Sequence, residues 1–104
     1  MTTYASAGRS SEIPEGEARV VEIDGKSVAI CHVAGDGFFA LENRCSHDDG
    51  PLGEGTLVDD RIECPRHGAL FDVRNGDAKT LPAVRGVKSY QVRVDGDEIQ
   101  VGLD

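Results

Sequence analysis

Two Asp-Gly pairs, Asp24-Gly25 and Asp95-Gly96, each separate two runs rich in β-branched residues. This pattern predicts β-hairpins, because glycine readily adopts the positive φ that a tight turn needs. Asp59-Asp60 and Asn75-Gly76 separate further short apolar runs in the same way. No long window shows an apolar period of about 3.6 residues, so an all-β sandwich or small barrel is expected. The predicted strands are 19–23, 26–33, 38–43, 56–58, 61–64, 69–73, 87–94 and 98–103.

Size and charge exclude several classes of protein. A chain of 104 residues has room for one core, so we expect a single domain over 1–104. The net charge of −8 argues against binding to nucleic acid or to an anionic membrane surface. No run approaches the about 20 apolar residues of a membrane span. Residues 1–11 lack the apolar centre of a signal peptide, which predicts a cytoplasmic protein.

Two short motifs carry the chemistry. The first is Cys45-Ser46-His47, and the second, Cys64-Pro65-Arg66-His67, begins after 16 intervening residues. Gly50 and Pro51 follow the first motif and Gly68 follows the second, so both motifs are predicted to lie on loops at strand ends. Two such loops placed side by side would bring two thiolates and two imidazoles to one site. That donor set suits either a tetrahedral zinc ion or an iron–sulfur cluster.

The distribution of donors bears on this choice. Zinc sites usually pair like with like, with two cysteines on one loop and two histidines on another. Here each loop offers one cysteine and one histidine. A [2Fe–2S] centre with two cysteines on one iron and two histidines on the other uses such mixed loops naturally. A zinc-stabilised interaction module remains an alternative.

These motifs resemble those of the Rieske family, specifically the small Rieske-type ferredoxins, and the resemblance extends over nearly the whole chain. It rests on Cys45–Leu52, on Cys64–Asp72 and on Leu81-Pro82-Ala83, which is similar to the segment that covers the cluster in that family. The resemblance implies an antiparallel β-sandwich with a small cluster-binding subdomain built from loops about 44–55 and 64–72, and a covering loop about 81–84. It also implies one [2Fe–2S] cluster per chain. In that arrangement, Cys45 and Cys64 bind the buried iron, and His47 and His67 bind the outer, redox-active iron.

Departures from the family pattern predict a low reduction potential. High-potential members have a disulfide whose cysteines correspond to Gly50 and Arg66, and hydroxyl side chains at positions that match Ala69 and Phe71. A hydrogen bond to sulfur stabilises the reduced, more negative state. Each lost bond of roughly 1.4 kcal/mol lowers a one-electron potential by about 59 mV. We therefore expect a value near the lower end of the Rieske range, about −150 to +300 mV.

The histidine count separates carrier from enzyme. A Rieske oxygenase needs a second iron held by two more histidines and a carboxylate, but the chain has only three histidines. No G-x-G-x-x-G motif indicates a dinucleotide site. The resemblance therefore implies a monomeric one-electron carrier between a flavin-dependent ferredoxin reductase and a terminal oxygenase. The alternative is a small Rieske subunit of a larger oxidoreductase, such as an assimilatory nitrite reductase.

The remaining candidates have simpler interpretations. Cys31 lies within an apolar strand and is expected to be a core thiol, and His32 is expected at the surface or rim. The acidic residues near the motifs are interpreted as solvated loop surface, with a docking patch as the alternative. They are Asp48, Asp49, Glu54, Asp59 and Asp60.

Overall fold

The computed structural model describes residues 3–44, 51–65, 68–80 and 86–103. These residues form nine strands and two single-turn 3₁₀ helices. The strands are β1 (Tyr4–Arg9), β2 (Ala18–Ile23), β3 (Lys26–Val33), β4 (Gly37–Glu42), β5 (Thr56–Val58), β6 (Arg61–Glu63), β7 (Leu70–Asp72), β8 (Ser89–Asp95) and β9 (Glu98–Gly102). The 3₁₀ helices are η1 (Ser10–Glu12) and η2 (Leu52–Glu54).

The strands form two antiparallel sheets. The large sheet has the order β1-β9-β8-β4-β3-β2, and the small sheet has the order β5-β6-β7. The predicted hairpins are present: Asp24 and Gly25 have φ values of 51° and 79°, and Gly96 has a φ of 64°. The all-β prediction is therefore confirmed.

Strand β1 was not predicted from the sequence. It pairs with β9 from Tyr4 opposite Gly102 to Arg9 opposite Glu98, with a register shift between Ser6 and Gly8. Alanine, serine and glycine dominate this strand, and none of them favours a strand by itself. Pairing with the edge of β9 therefore determines its conformation.

Two apolar cores lie on opposite faces of β3. Successive side chains of a strand alternate between its faces, so Val28 and Ile30 enter one core while Cys31 and Val33 enter the other. The first core is formed by strands of the large sheet and by Ile13, which follows η1. Its buried members are Ala7, Ile13, Ile23, Val28, Ile30, Ala40, Ile99 and Val101. The second core joins the two sheets; its buried members are Cys31, Val33, Leu41, Leu52, Ile62, Cys64, Ala69, Phe71, Val73 and Val87.

A polar contact also links the two sheets. The Arg74 guanidinium donates to Asp36 Oδ2 at 2.6 Å, in the turn between β3 and β4, and lies 3.5 Å from Asp60 Oδ2, in the turn between β5 and β6. Its carbon Cζ is 5.5 Å from the centre of the Phe39 ring. Within the described ranges, no helix is long and apolar enough to cross a membrane.

Candidate metal centre

Cys64 lies at the point where β6 ends and a turn toward β7 begins. Its amide donates to the Ala69 carbonyl at 2.7 Å, and its own carbonyl accepts from the Gly68 amide at 3.0 Å. Gly68 has a φ of 75°, which a glycine adopts without the steric cost of a Cβ. Cys64 thus lies where β6 ends, as its motif predicted, and these two backbone hydrogen bonds close the described part of its turn.

The other three predicted ligands, Cys45, His47 and His67, lie outside the described residues, as does the predicted covering loop 81–84. Arg44 and Pro51 are the nearest described neighbours of the first motif, and Pro65 and Gly68 flank the undescribed part of the second. The described part of the site therefore consists of Cys64 and the flanks of both motifs.

The chain that follows the first motif packs against the residue that precedes Cys64. Thr56 pairs with Glu63 in the β5–β6 ladder. At Gly55, a Cβ atom would lie 1.8 Å from the Glu63 backbone carbonyl oxygen, so only glycine allows the two backbones to come this close. The fold consequently brings the downstream flank of the first motif beside Cys64.

The two flanks of the first motif are also joined to each other. Asn43 Oδ1 accepts a hydrogen bond from the Gly53 amide at 2.6 Å. Asn43 Nδ2 donates to Ser27 Oγ at 2.9 Å, and the Asn43 amide donates to the Ser27 carbonyl at 3.1 Å. Nothing in the sequence pattern singles out Asn43, because its partners Ser27 and Gly53 lie 16 and 10 residues away.

The surroundings of Cys64 fit a metal ligand. The side chain is 1% exposed and lies in an apolar core. A thiolate ligand at this position would have its charge compensated by the bound metal, which burial in an apolar core would otherwise penalise. The complete donor set in the sequence, two thiolates and two imidazoles, is that of a [2Fe–2S] cluster with mixed ligation.

Cys31 shares this core but has a different setting. It lies in the middle of β3, paired with Ala18 on one side and Phe39 on the other. Burial raises the pKa of the Cys31 thiol to about 12, so the thiol stays neutral at ordinary pH. The prediction of a core thiol is confirmed.

His32 is half-buried at the rim of the other core. Its Nδ1 lies 2.7 Å from the Ile13 carbonyl oxygen, to which it donates as the N–H tautomer. Its ring stacks on Phe38 with centroids 4.0 Å apart. These contacts hold the ring against the large sheet, in agreement with the predicted rim position.

The acidic residues do not behave as one group. Glu54 and Asp59 are exposed, which agrees with the interpretation as solvated surface, whereas Asp60 pairs with Arg74. Asp48 and Asp49 lie outside the described residues. The sequence alone did not reveal Arg74 as a link between turns, because Asp36 and Asp60 are distant from it along the chain.

Comparison with known proteins identifies the family of the chain. The family model described as the Rieske [2Fe–2S] domain matches residues 3–91. The ferredoxin component of biphenyl 2,3-dioxygenase from Rhodococcus jostii (strain RHA1) is 40% identical over 95 residues, which cover 91% of this chain and 88% of that protein.

Solved structures agree as well. The ferredoxin of carbazole 1,9a-dioxygenase from Nocardioides aromaticivorans IC177 superimposes with a TM-score of 0.92 at 34% identity, covering 99% of this chain and 100% of that one. A chain from the complex of reduced oxygenase and oxidised ferredoxin of carbazole 1,9a-dioxygenase superimposes with a TM-score of 0.89 at 33% identity. The match covers 98% of this chain and 94% of that one.

Proposed function

This chain belongs to the Rieske [2Fe–2S] domain family. We propose that one [2Fe–2S] cluster is held by Cys45, His47, Cys64 and His67 and supplies electrons to a terminal oxygenase. The chain is a ferredoxin, an electron carrier rather than an enzyme, as are the relatives that match most of its length. The proposed cluster-binding loops are 44–55 and 64–72 of a single domain 1–104, with 81–84 as the covering segment.

The observation that carries the proposal is the position of Cys64. It is buried at the start of a turn, and Gly55, which follows the first motif, lies against the residue before it. Two loops that each supply one thiolate and one imidazole meet the ligand requirement of the cluster. A zinc module would use the same donors, so metal analysis has to decide between the two.

When bound, the cluster takes up and returns one electron without any bond being made or broken in a substrate. The chain's own residues then have three tasks. The backbone bonds of Gly68 and Ala69 fix the Cys64 backbone, the second core excludes water behind the sulfur, and His47 and His67 complete the ligand set.

The chain provides matched controls for a test of the ligands. Cys64→Ala and His67→Gln should lose the cluster, because each removes a ligand, whereas Cys31→Ala and His32→Gln should keep it. Iron and sulfide content, the visible spectrum and the electron paramagnetic resonance signal of the reduced protein measure the outcome. A colourless wild-type protein with one zinc per chain would overturn the proposal, as would retention of the cluster in Cys64→Ala.

We further propose a low potential, with a flavin-dependent reductase as donor. Ala69 and Phe71 lie in the core with Cys64 and have no hydroxyl to donate to a sulfur. Voltammetry should give a midpoint near the lower end of the Rieske range, and Ala69→Ser should raise it if the new hydroxyl reaches the site. A wild-type midpoint well above zero would contradict the low-potential proposal.

The proposed carrier is a monomer that acts in the cytoplasm. Reduction by a flavoprotein reductase and reoxidation by an oxygenase can be followed in the visible spectrum by stopped flow. Sedimentation of the cluster-loaded protein tests the monomer. Electron transfer only within a permanent complex would instead support a subunit of a larger oxidoreductase.

A further inference from the structure

The Asn43 side chain uses both ends of its amide on partners from different parts of the fold. The oxygen accepts from Gly53 at the start of the small-sheet region, and the nitrogen donates to Ser27 at the start of β3. The hydrogen bond to Gly53 is partly buried and short, at 2.6 Å. A side chain with one donor and one acceptor on the same planar group is suited to this bridge.

The bridge joins the two ends of one chain segment. Residues 44–52 lie between Asn43 and Gly53, and this segment contains Cys45 and His47. Cys45 is only two residues after Asn43, so a displacement at Asn43 is passed to Cys45 through very few rotatable bonds. The Asn43–Gly53 hydrogen bond, here called the neck, thus joins the two described ends of this segment.

Gly53 holds the returning end of this neck against the large sheet. A Cβ at this position would lie 2.6 Å from Val20 Cγ2 and 3.1 Å from the Ala29 Cβ, on β2 and β3. Because Gly53 is buried, its amide would lose this acceptor in a site that is largely shielded from water if Asn43 is truncated. A buried donor that loses its partner costs its full desolvation penalty.

We propose that Asn43 is a positioning residue for the metal centre: it joins the two ends of segment 44–52 and thereby sets where Cys45 and His47 bind the cluster. This inference rests on the proposed ligand set. Ser27 has the secondary task of orienting the Asn43 amide so that its oxygen faces the Gly53 amide. The same contact anchors the first motif to the large sheet, while Gly55 anchors it to the small sheet.

Three variants of the full chain test the role of Asn43. Asn43→Ala removes both side-chain contacts. Asn43→Asp keeps an acceptor for Gly53 and can accept from the Ser27 hydroxyl instead of donating to it. Ser27→Ala removes only the contact that orients the amide, so its effect should be smaller than that of Asn43→Ala.

The measurements are the rate of iron release to an excess of chelator and the line shape of the electron paramagnetic resonance signal after reduction. Asn43→Ala should release iron about tenfold faster than wild type, which corresponds to about 1.4 kcal/mol. Its signal should broaden, since ligands that are less well fixed give a wider spread of geometries. Asn43→Asp and Ser27→Ala should stay within about threefold of wild type and keep a narrow signal.

Several results would overturn the inference. One is an Asn43→Ala protein with the wild-type release rate and line shape, even if its thermal stability falls, because Asn43 would then be merely structural. Another is an Asn43→Asp protein that releases iron about tenfold faster than wild type. This result decides the question even if Asn43→Ala is insoluble. A wild-type protein without the cluster signal would refute the proposed function rather than the neck contact itself.

Discussion

The segment from Asn43 to Gly53 is closed by a side chain, whereas the turn from Cys64 to Ala69 is closed by the backbone. The first closure spans ten residues and the second spans five. Both segments contain proposed ligands, yet one closure depends on a particular side chain and the other on backbone groups. Every residue except proline has a backbone N–H and a carbonyl, but only a few side chains can replace that of Asn43.

This difference predicts unequal sensitivity to substitution. The first segment also relies on close contacts at Gly53 and Gly55, where an added methyl group has no room. The second relies on the positive φ of Gly68, where the nearest described atom to a new Cβ is the end of the Glu63 side chain, at 4.0 Å. Substitutions in the first segment should therefore be more disruptive than those in the second.

The largest effect is expected for Gly55→Ala. The new Cβ would lie 1.8 Å from the Glu63 carbonyl oxygen, and a backbone atom cannot move away as the end of a flexible side chain can. The flank of the first motif should separate from β6, and the purified protein should contain no cluster by iron analysis. Gly16→Ala is the control for backbone strain without obstruction: Gly16 has a φ of 84°, where alanine is strained, but no described atom lies within 4 Å of the new Cβ, so this variant should keep its iron. Normal iron content in Gly55→Ala would show that the close approach is not needed.

Phe71→Ala tests the support beneath the second turn. Phe71 is fully buried in the core that the two sheets share, and removal of a buried aromatic ring costs about 3–5 kcal/mol. Urea unfolding of the cluster-loaded protein, followed by circular dichroism, should show this loss. Phe38→Ala should cost less, because Phe38 is only partly buried against the other core. Equal losses of unfolding free energy would contradict this expectation, because the shared core would then support the second turn no more than the other core supports the large sheet.

Gly53→Ala should have an intermediate effect that a second substitution partly reverses. Insertion of a methyl group into a packed site costs about 1–3 kcal/mol. The closest neighbour is Val20 Cγ2 at 2.6 Å, and Val20 is 39% exposed, so Val20→Ala makes room at little cost of its own. The double variant should therefore unfold at a higher urea concentration than Gly53→Ala. Strictly additive effects would place the obstruction elsewhere.

The smallest effect at neutral pH concerns the Cys31 thiol of the shared core. The pKa of Cys31 is raised from an ordinary 9.0 to about 12, so above pH 9 the unfolded chain loses a proton that the folded chain keeps. Stability should fall with rising pH in this window, by up to about 1.4 kcal/mol per pH unit, and stay unaffected by this group below pH 8. The slope should be smaller in Cys31→Ala, as measured by urea unfolding between pH 8 and 11. The same slope in both proteins would show that Cys31 is not the group responsible.

Sequence reasoning succeeded where the chemistry was local. Asp24-Gly25 and Asp95-Gly96 specify their own hairpins, and Cys64 lies at the strand end where its motif predicted it. Strand β1 was missed because the partner strand β9, and not its own composition, makes it extended. The contacts of Asn43 and Arg74 were missed because each joins residues that are distant along the chain. Such contacts depend on the tertiary arrangement, which no short pattern encodes.

The apolar packing around Cys64 bears on how fast an electron can be exchanged. The described residues include no buried polar or charged side chain, and the other described members of the core that contains Cys64 are apolar side chains and the neutral thiol of Cys31. Dipoles that must rotate when charge changes add to the reorganisation energy of electron transfer, and a rigid apolar wall contributes very few. On this side of the site, few side-chain dipoles would have to reorient when the proposed cluster gains an electron, so the contribution of this core to the reorganisation energy should be small.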